Sequence, residues 1–135
     1  GEGVKCRKEV KLIRRLVNDS HARKWRDMKL DRFTRKQKVS ARSTLKKALK
    51  LLGPNGEHWI KGSQEGILNN KPAYCSFGAI HTVGGPGEYL AVLLLENAIS
   101  PHPYVGIISY YNDSKNRKFS DIKKKFLKAI ELTER

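Results

Sequence analysis

The sequence is poor in the residues that would tie a chain to a membrane, a disulfide scaffold or a metal. Its longest uninterrupted apolar run, residues 89–95, is far short of the ~20 residues of a spanning helix, so no membrane partner is expected. Two cysteines, Cys6 and Cys75, cannot build a disulfide framework, and neither has a second Cys or His beside it at zinc-ligand spacing. Reduced thiols and no metal are expected. The first ten residues are charged and lead into no apolar region, so no secretory signal is read there. These absences give the expectation of a cytoplasmic protein without a cofactor, a virion setting being the alternative that analogy with basic-armed compact domains suggests. Carboxylates are scarce as well: 13 Asp and Glu stand against 28 Lys and Arg, a formal net charge of +15 in 135 residues.

What is there in abundance is positive charge, and it is concentrated at one end. Residues 1–50 hold 18 Lys and Arg against five Asp and Glu, whereas residues 51–135 hold ten against eight. Like charges gathered in one third of a chain repel and weaken the compact state, so folding alone does not ask for them. A polyanionic partner does, and nucleic acid is the commonest one.

The hydrophobic pattern predicts helices. Val10, Ile13, Leu16 and Val17 make one stripe over residues 5–17, and Trp25 and Met28 make an apolar edge on a second helix over 21–30. Residues 31–39 are basic with weak periodicity, a linker or a helix extension. Ser40 then looks like a cap, and Ala41, Leu45, Ala48, Leu49 and Leu52 follow at amphipathic spacing before a Gly53-Pro54-Asn55-Gly56 stop. A polar loop to Lys71 is expected next, then a helix over 73–83 opened by Pro72, and an apolar central helix over 88–99. The Val, Ile and Tyr content of residues 104–111 suits a strand. No partner strand is evident, however, and a short helix satisfies its own backbone. A last helix, capped by Ser120, turns Ile122, Phe126, Ala129, Ile130 and Thr133 inward. The expectation is an all-α fold: a compact bundle of four to five helices over 41–135, carrying a basic helical arm over 1–40.

The C-terminal part also carries a set of short motifs: His58-Trp59, then Tyr74-Cys75-Ser76-Phe77-Gly78-Ala79-Ile80, then Tyr111-Asn112-Asp113, and a closing Ala129-Ile130-Glu131-Leu132. In this order they resemble a small, mostly helical domain family of bacteria and phages whose function is unknown. Members of that family show a Cys-Ala-Leu-Gly-Ala-like helix start and a Trp-Asn-Asp turn. Here Ser76-Phe77 replaces Ala-Leu, and Tyr111 stands where Trp is usual. The resemblance spans about residues 41–135; it implies a compact helical domain and no particular activity.

The candidate phosphate-binding residues are Arg14, Arg15, Arg23, Lys24, Arg26, Arg32, Arg35, Lys36, Lys38 and Arg42, with Trp25 as a candidate stacking residue. Guanidinium groups suit phosphate because their fork bridges two oxygens. No base-reading module is recognisable, so binding to DNA or RNA without sequence specificity is expected, by a non-enzymatic virion or ribonucleoprotein component that can also dock on a larger protein assembly. Lys115, Arg117, Lys118 and residues 123–125 form a smaller basic patch that a solvated helix face explains equally well. Two alternatives stand beside this reading: a small basic ribonuclease using His58 and Glu57, and a pure assembly protein whose arm meets an acidic protein surface. Cys75 with His58 or His81 suggests thiol chemistry, but its apolar surroundings fit a packing residue better. The Asn112-Asp113 pair fits a turn better than a ligand site. Gly84-Gly85-Pro86-Gly87 lacks the Lys-Ser/Thr ending of a phosphate loop.

Overall fold

Thr34 decides where the first described helix begins. In a computed structural model, which describes residues 32–135, its hydroxyl accepts from the Gln37 N–H at 3.1 Å, and the Gln37 side chain accepts from the Thr34 N–H at 2.8 Å. This reciprocal pair satisfies two donors that a helix start leaves open. Helix α1 therefore runs Arg35–Leu52, and residues 35–39 are its first turns rather than a linker. Ser40 lies inside it and is not a cap, so the expected boundary at 40/41 falls within one continuous helix. The helices expected over 5–17 and 21–30, with Trp25 and Met28, lie outside the described residues.

The buried side of α1 is Ala41, Thr44, Leu45, Ala48 and Leu52, each leucine contributing roughly 1.5–3 kcal/mol by leaving water. Gly53, at φ +87°, ends the helix by turning the chain through a region closed to most side chains. The chain then passes His58-Trp59-Ile60 and enters a hairpin, β1 (Glu65–Leu68) and β2 (Lys71–Tyr74), paired antiparallel with Glu65 opposite Tyr74 and Leu68 opposite Lys71. The two residues between the strands, Asn69 and Asn70, have φ of 52° and 63°. Such a pair of positive φ values makes the tight turn whose twist suits a hairpin. Residues 58–60 lie along the other side of β2: the Tyr74 N–H donates to the His58 carbonyl at 2.8 Å, and the Ile60 N–H to the Tyr74 carbonyl at 3.0 Å.

Two expectations are corrected here. The stretch to Lys71 is not a plain loop, and Pro72 opens no helix; it sits in β2 opposite Ile67. The bonds from residues 58–60 reach β2 only at Tyr74, so at Pro72 its outer edge is open and a residue without an N–H can be placed there. The fold is accordingly mostly helical with a small antiparallel sheet, not all-α.

Helix α2 (Ser76–Val83) starts three residues later than expected, capped by Cys75, whose Sγ accepts from the Gly78 N–H at 3.3 Å. Helix α3 (Glu88–Ile99) is the central element: every side chain from Leu90 to Glu96 is buried. Residues 107–113 form the short helix α4 (Ile107–Asp113), as the backbone argument favours. Helix α5 (Phe119–Leu132) begins at Phe119, so Ser120 is inside it; Asp121 caps it by accepting from the Lys118 N–H at 3.0 Å. Ile122, Phe126, Ala129, Ile130 and Thr133 are all buried, as their spacing requires. One core joins α1, α2, α3, α4 and α5, with Phe33, Trp59, Tyr74 and Phe119 packed on its margin.

Helices α1 and α5 are antiparallel neighbours. Near one end Arg42 bonds Thr133, and just past the other the chain at Gly56 lies against the Phe119 ring. No described helix is long and apolar enough to cross a membrane.

Candidate nucleic-acid interface

From Arg32 to Gly56 the chain contains no carboxylate. Helix α1 occupies most of that stretch and carries Arg35, Lys36, Lys38, Arg42, Lys46, Lys47 and Lys50. The 3.6-residue period sorts these cations into two groups. Lys36, Lys46, Lys47 and Lys50 are exposed together with Val39 and Ser43, a spacing that gathers them on the face opposite the buried stripe. Arg35 is exposed at the helix start, and Arg32 just before it.

The other two cations turn inward along α5. The Arg42 guanidinium donates through Nε to the Thr133 hydroxyl at 2.9 Å and through Nη2 to the Thr133 carbonyl at 3.0 Å. The Lys38 ammonium donates to the Arg135 carbonyl at 2.9 Å. Both meet the carbonyl end of α5, where the helix dipole favours a positive charge. Arg14, Arg15, Arg23, Lys24, Trp25 and Arg26 lie outside the described residues. Of the expected site residues within them, Arg32, Arg35 and Lys36 are exposed, whereas Lys38 and Arg42 are engaged with α5. Sequence reasoning that stopped the arm at residue 40 missed Lys46, Lys47 and Lys50; the one-sided spacing of the α1 cations was the signal that could have found them.

The second basic patch is built around Tyr111. The Arg117 guanidinium carbon lies 3.6 Å from the centre of the Tyr111 ring, and Arg117 Nε donates to the Tyr111 carbonyl at 2.9 Å. The Lys125 ammonium lies 5.8 Å from the same ring centre. Burial first, and then the charges of Lys128 and Arg117, hold Lys125 below the usual lysine range. Burial pushes the Tyr111 hydroxyl up, with Arg117 acting against it.

Three motif segments that are distant in sequence meet at Asn112. Its side-chain oxygen accepts from the Trp59 indole N–H at 2.7 Å, from the Ser76 N–H at 2.9 Å and from the Ser76 hydroxyl at 2.7 Å. Its amide nitrogen donates to the Ile60 carbonyl at 3.0 Å and to Asp113 Oδ1 at 2.9 Å, and that oxygen also accepts from the Gly62 N–H at 2.8 Å. Asn112 is fully buried. It is a clasp between the segment at residues 59–60, α2 and α4, with its hydrogen-bonding capacity spent inside the protein.

Glu57 and His58 border a shallow cleft with Gly53, Pro54, Leu68, Asn69 and Lys71. The Glu57 carboxylate accepts from the Asn55 N–H at 2.8 Å, and that bond holds its pKa below the usual carboxylate value. It closes the turn after α1, and its lowered basicity is the opposite of what a general base at neutral pH needs. His81 is exposed, pairs with Glu88 Oε2 at 2.9 Å and stacks on Phe77, while Cys75 is buried against the first turn of α2. Histidine and thiol therefore face different surroundings. A separate groove of about 230 Å³ between α3 and α5 is lined by Phe33, Leu90, Leu93, Leu94, Asn97, Lys128 and Leu132. Among the described residues no three His, Cys, Asp or Glu side chains gather as a metal site.

Compared with family models, with curated proteins and with solved structures, the chain matches none.

Proposed function

We propose that this protein associates with nucleic acid without catalysing a reaction, holding the phosphate backbone through the exposed cations of α1 and the basic segment that precedes it. The observation that carries the proposal is the division of labour on α1. The helix has no carboxylate; Lys38 and Arg42 serve the fold, and Arg35, Lys36, Lys46, Lys47 and Lys50 remain exposed. Unpaired cations on one face cost a folded domain self-repulsion and return it only when an anion arrives. A row of phosphates supplies anions at regular spacing, and displaced counterions supply the free energy. Arg14, Arg15, Arg23, Lys24, Arg26 and Arg32 extend the same positive charge in sequence, with DNA or RNA as partner and a virion or ribonucleoprotein as setting.

We also propose that residues 41–135 belong with the small bacterial and phage domain family whose motifs they resemble. The support is spatial: Trp59, Ser76, Asn112 and Asp113 come from three separate motifs and share one hydrogen-bonded cluster.

The test is binding of the full chain to short DNA and RNA, single- and double-stranded, across a salt series. Log affinity falling linearly with log salt supports the phosphate reading, with a slope of about 0.9 per duplex phosphate contacted. Absence of binding at low salt overturns it in favour of an acidic protein partner.

A further inference from the structure

Two tyrosines on this domain have no role in its core. Tyr104 is 51% exposed and Tyr110 69% exposed, with ring centroids 6.4 Å apart and planes inclined at 66°. A small domain gains from an aromatic ring by burying it, so a pair left in water calls for another use. Tyr110 lies on α4 beside Tyr111, and cations surround the end of that helix. Arg117 stacks on Tyr111 and Lys125 approaches the same ring. The Lys61 ammonium donates to the Ser114 carbonyl at 2.9 Å, and the Ser114 hydroxyl donates in turn to the Tyr110 carbonyl at 2.6 Å. The nearby carboxylates are fewer than these cations: Asp113 Oδ1 takes the Gly62 N–H and the Asn112 amide, and Asp121 takes the Lys118 N–H while its charge reaches Tyr111 and Lys125.

We propose that Tyr104 and Tyr110, with Lys61, Arg117 and Lys125 gathered at Ser114 and Tyr111 by the end of α4, form a platform for single-stranded nucleic acid. The cations meet phosphates and the two exposed rings stack on unpaired bases. Every base has a stackable face, so such a platform tolerates any sequence. In a duplex those faces are already covered by neighbouring bases, and the rings have nothing to stack on. The surrounding positive charge selects a polyanion over an apolar protein partner. This inference rests on the phosphate-binding reading above and adds to it a preference for unpaired strands.

The experiment compares the full wild-type chain, Tyr104→Ala/Tyr110→Ala and Tyr104→Phe/Tyr110→Phe, each titrated against labelled oligo-dT, oligo-rU and a duplex of equal length. The expected result is an affinity loss of about tenfold or more for the single strands in the alanine variant. Its salt slope and duplex affinity stay at the wild-type level, and the phenylalanine variant, which keeps the rings, binds as wild type does. Unchanged single-strand affinity in the alanine variant, while wild type still binds with a salt slope, overturns the platform and leaves the phosphate reading standing. Wild type that binds neither single strand nor duplex overturns both.

Discussion

Arg42 spends two donors on one residue: its Nε and Nη2 hold the hydroxyl and the carbonyl of Thr133. A residue that its charge alone would assign to phosphate binding is thereby a strut between the antiparallel helices α1 and α5. The contrast with its exposed neighbours on α1 separates two roles that sequence alone merges.

Arg42→Gln is expected to lower stability by roughly 1–3 kcal/mol, since it removes charge-assisted bonds at a helix end, and to leave the salt slope of binding nearly unchanged. The quadruple change Lys36→Ala, Lys46→Ala, Lys47→Ala and Lys50→Ala is expected to do the reverse. Its slope on duplex DNA falls by up to about 3–4 while the melting temperature holds. Thermal denaturation and a salt series on both variants check this; equal salt slopes in the two would remove α1 from the interface.

Asn112→Ala is expected to destabilise the protein by roughly 3–5 kcal/mol, because the Trp59 indole, both Ser76 donors and the Ile60 carbonyl all lose their partner in a buried site. Asn112→Asp keeps one acceptor but points a second oxygen at the Ile60 carbonyl and the Asp113 carboxylate. It is expected to be destabilised at neutral pH and to recover in part in acid, where a protonated carboxyl can donate. Urea denaturation at the two pH values reads both effects.

Glu96 is fully buried on α3, and among the described residues neither carboxyl oxygen has a hydrogen-bond partner. Burial pushes its pKa up to about 9. The folded state therefore holds the proton more tightly than the unfolded chain does. Its contribution to stability is complete below pH 4.5 and is lost as pH rises towards 9. Glu96→Gln, which cannot ionise, is expected to be more stable than wild type by roughly 3 kcal/mol at pH 7. That advantage should widen towards pH 9 and vanish near pH 4. Denaturant midpoints across that range decide it; an advantage that does not change with pH would mean the carboxyl is charged in the folded state.

Gly78→Ala places a methyl group against the Gln64 carbonyl oxygen, the same oxygen that accepts from the Cys75 N–H at 3.1 Å. The hairpin base would have to leave the first turn of α2, at a cost of roughly 2–4 kcal/mol. Gly85→Ala, where a Cβ meets nothing but the backbone is at φ +79°, is expected to cost less. Melting temperatures of the two variants rank them.

The elements that were legible in the sequence are those whose burial follows a period. Leu45, Ala48 and Leu52 announce α1, residues 88–99 announce α3, and Ile122, Phe126 and Ala129 announce α5. The hairpin was hidden because its strands are four residues each, one holds Pro72, and its turn is Asn69-Asn70 rather than a pair containing glycine. Asn112 was visible as a turn former, yet nothing local to it tells of Trp59 or Ser76. The cations of α1 were legible as charge, but their division into struts and free groups depends on where α5 ends, which lies some 90 residues away in sequence.

The Asn112 clasp also bears on how the chain folds. Its partners at Trp59 and Ser76 are 53 and 36 residues away, so closing it requires large loops to be ordered first. Helices α1, α3 and α5 can form from local contacts long before. The clasp is therefore expected to close late, and its loss to act on the way out of the native state rather than on the way in. Asn112→Ala should unfold much faster than wild type while refolding at nearly the same rate, so the buried amide serves as a latch on the lifetime of the fold.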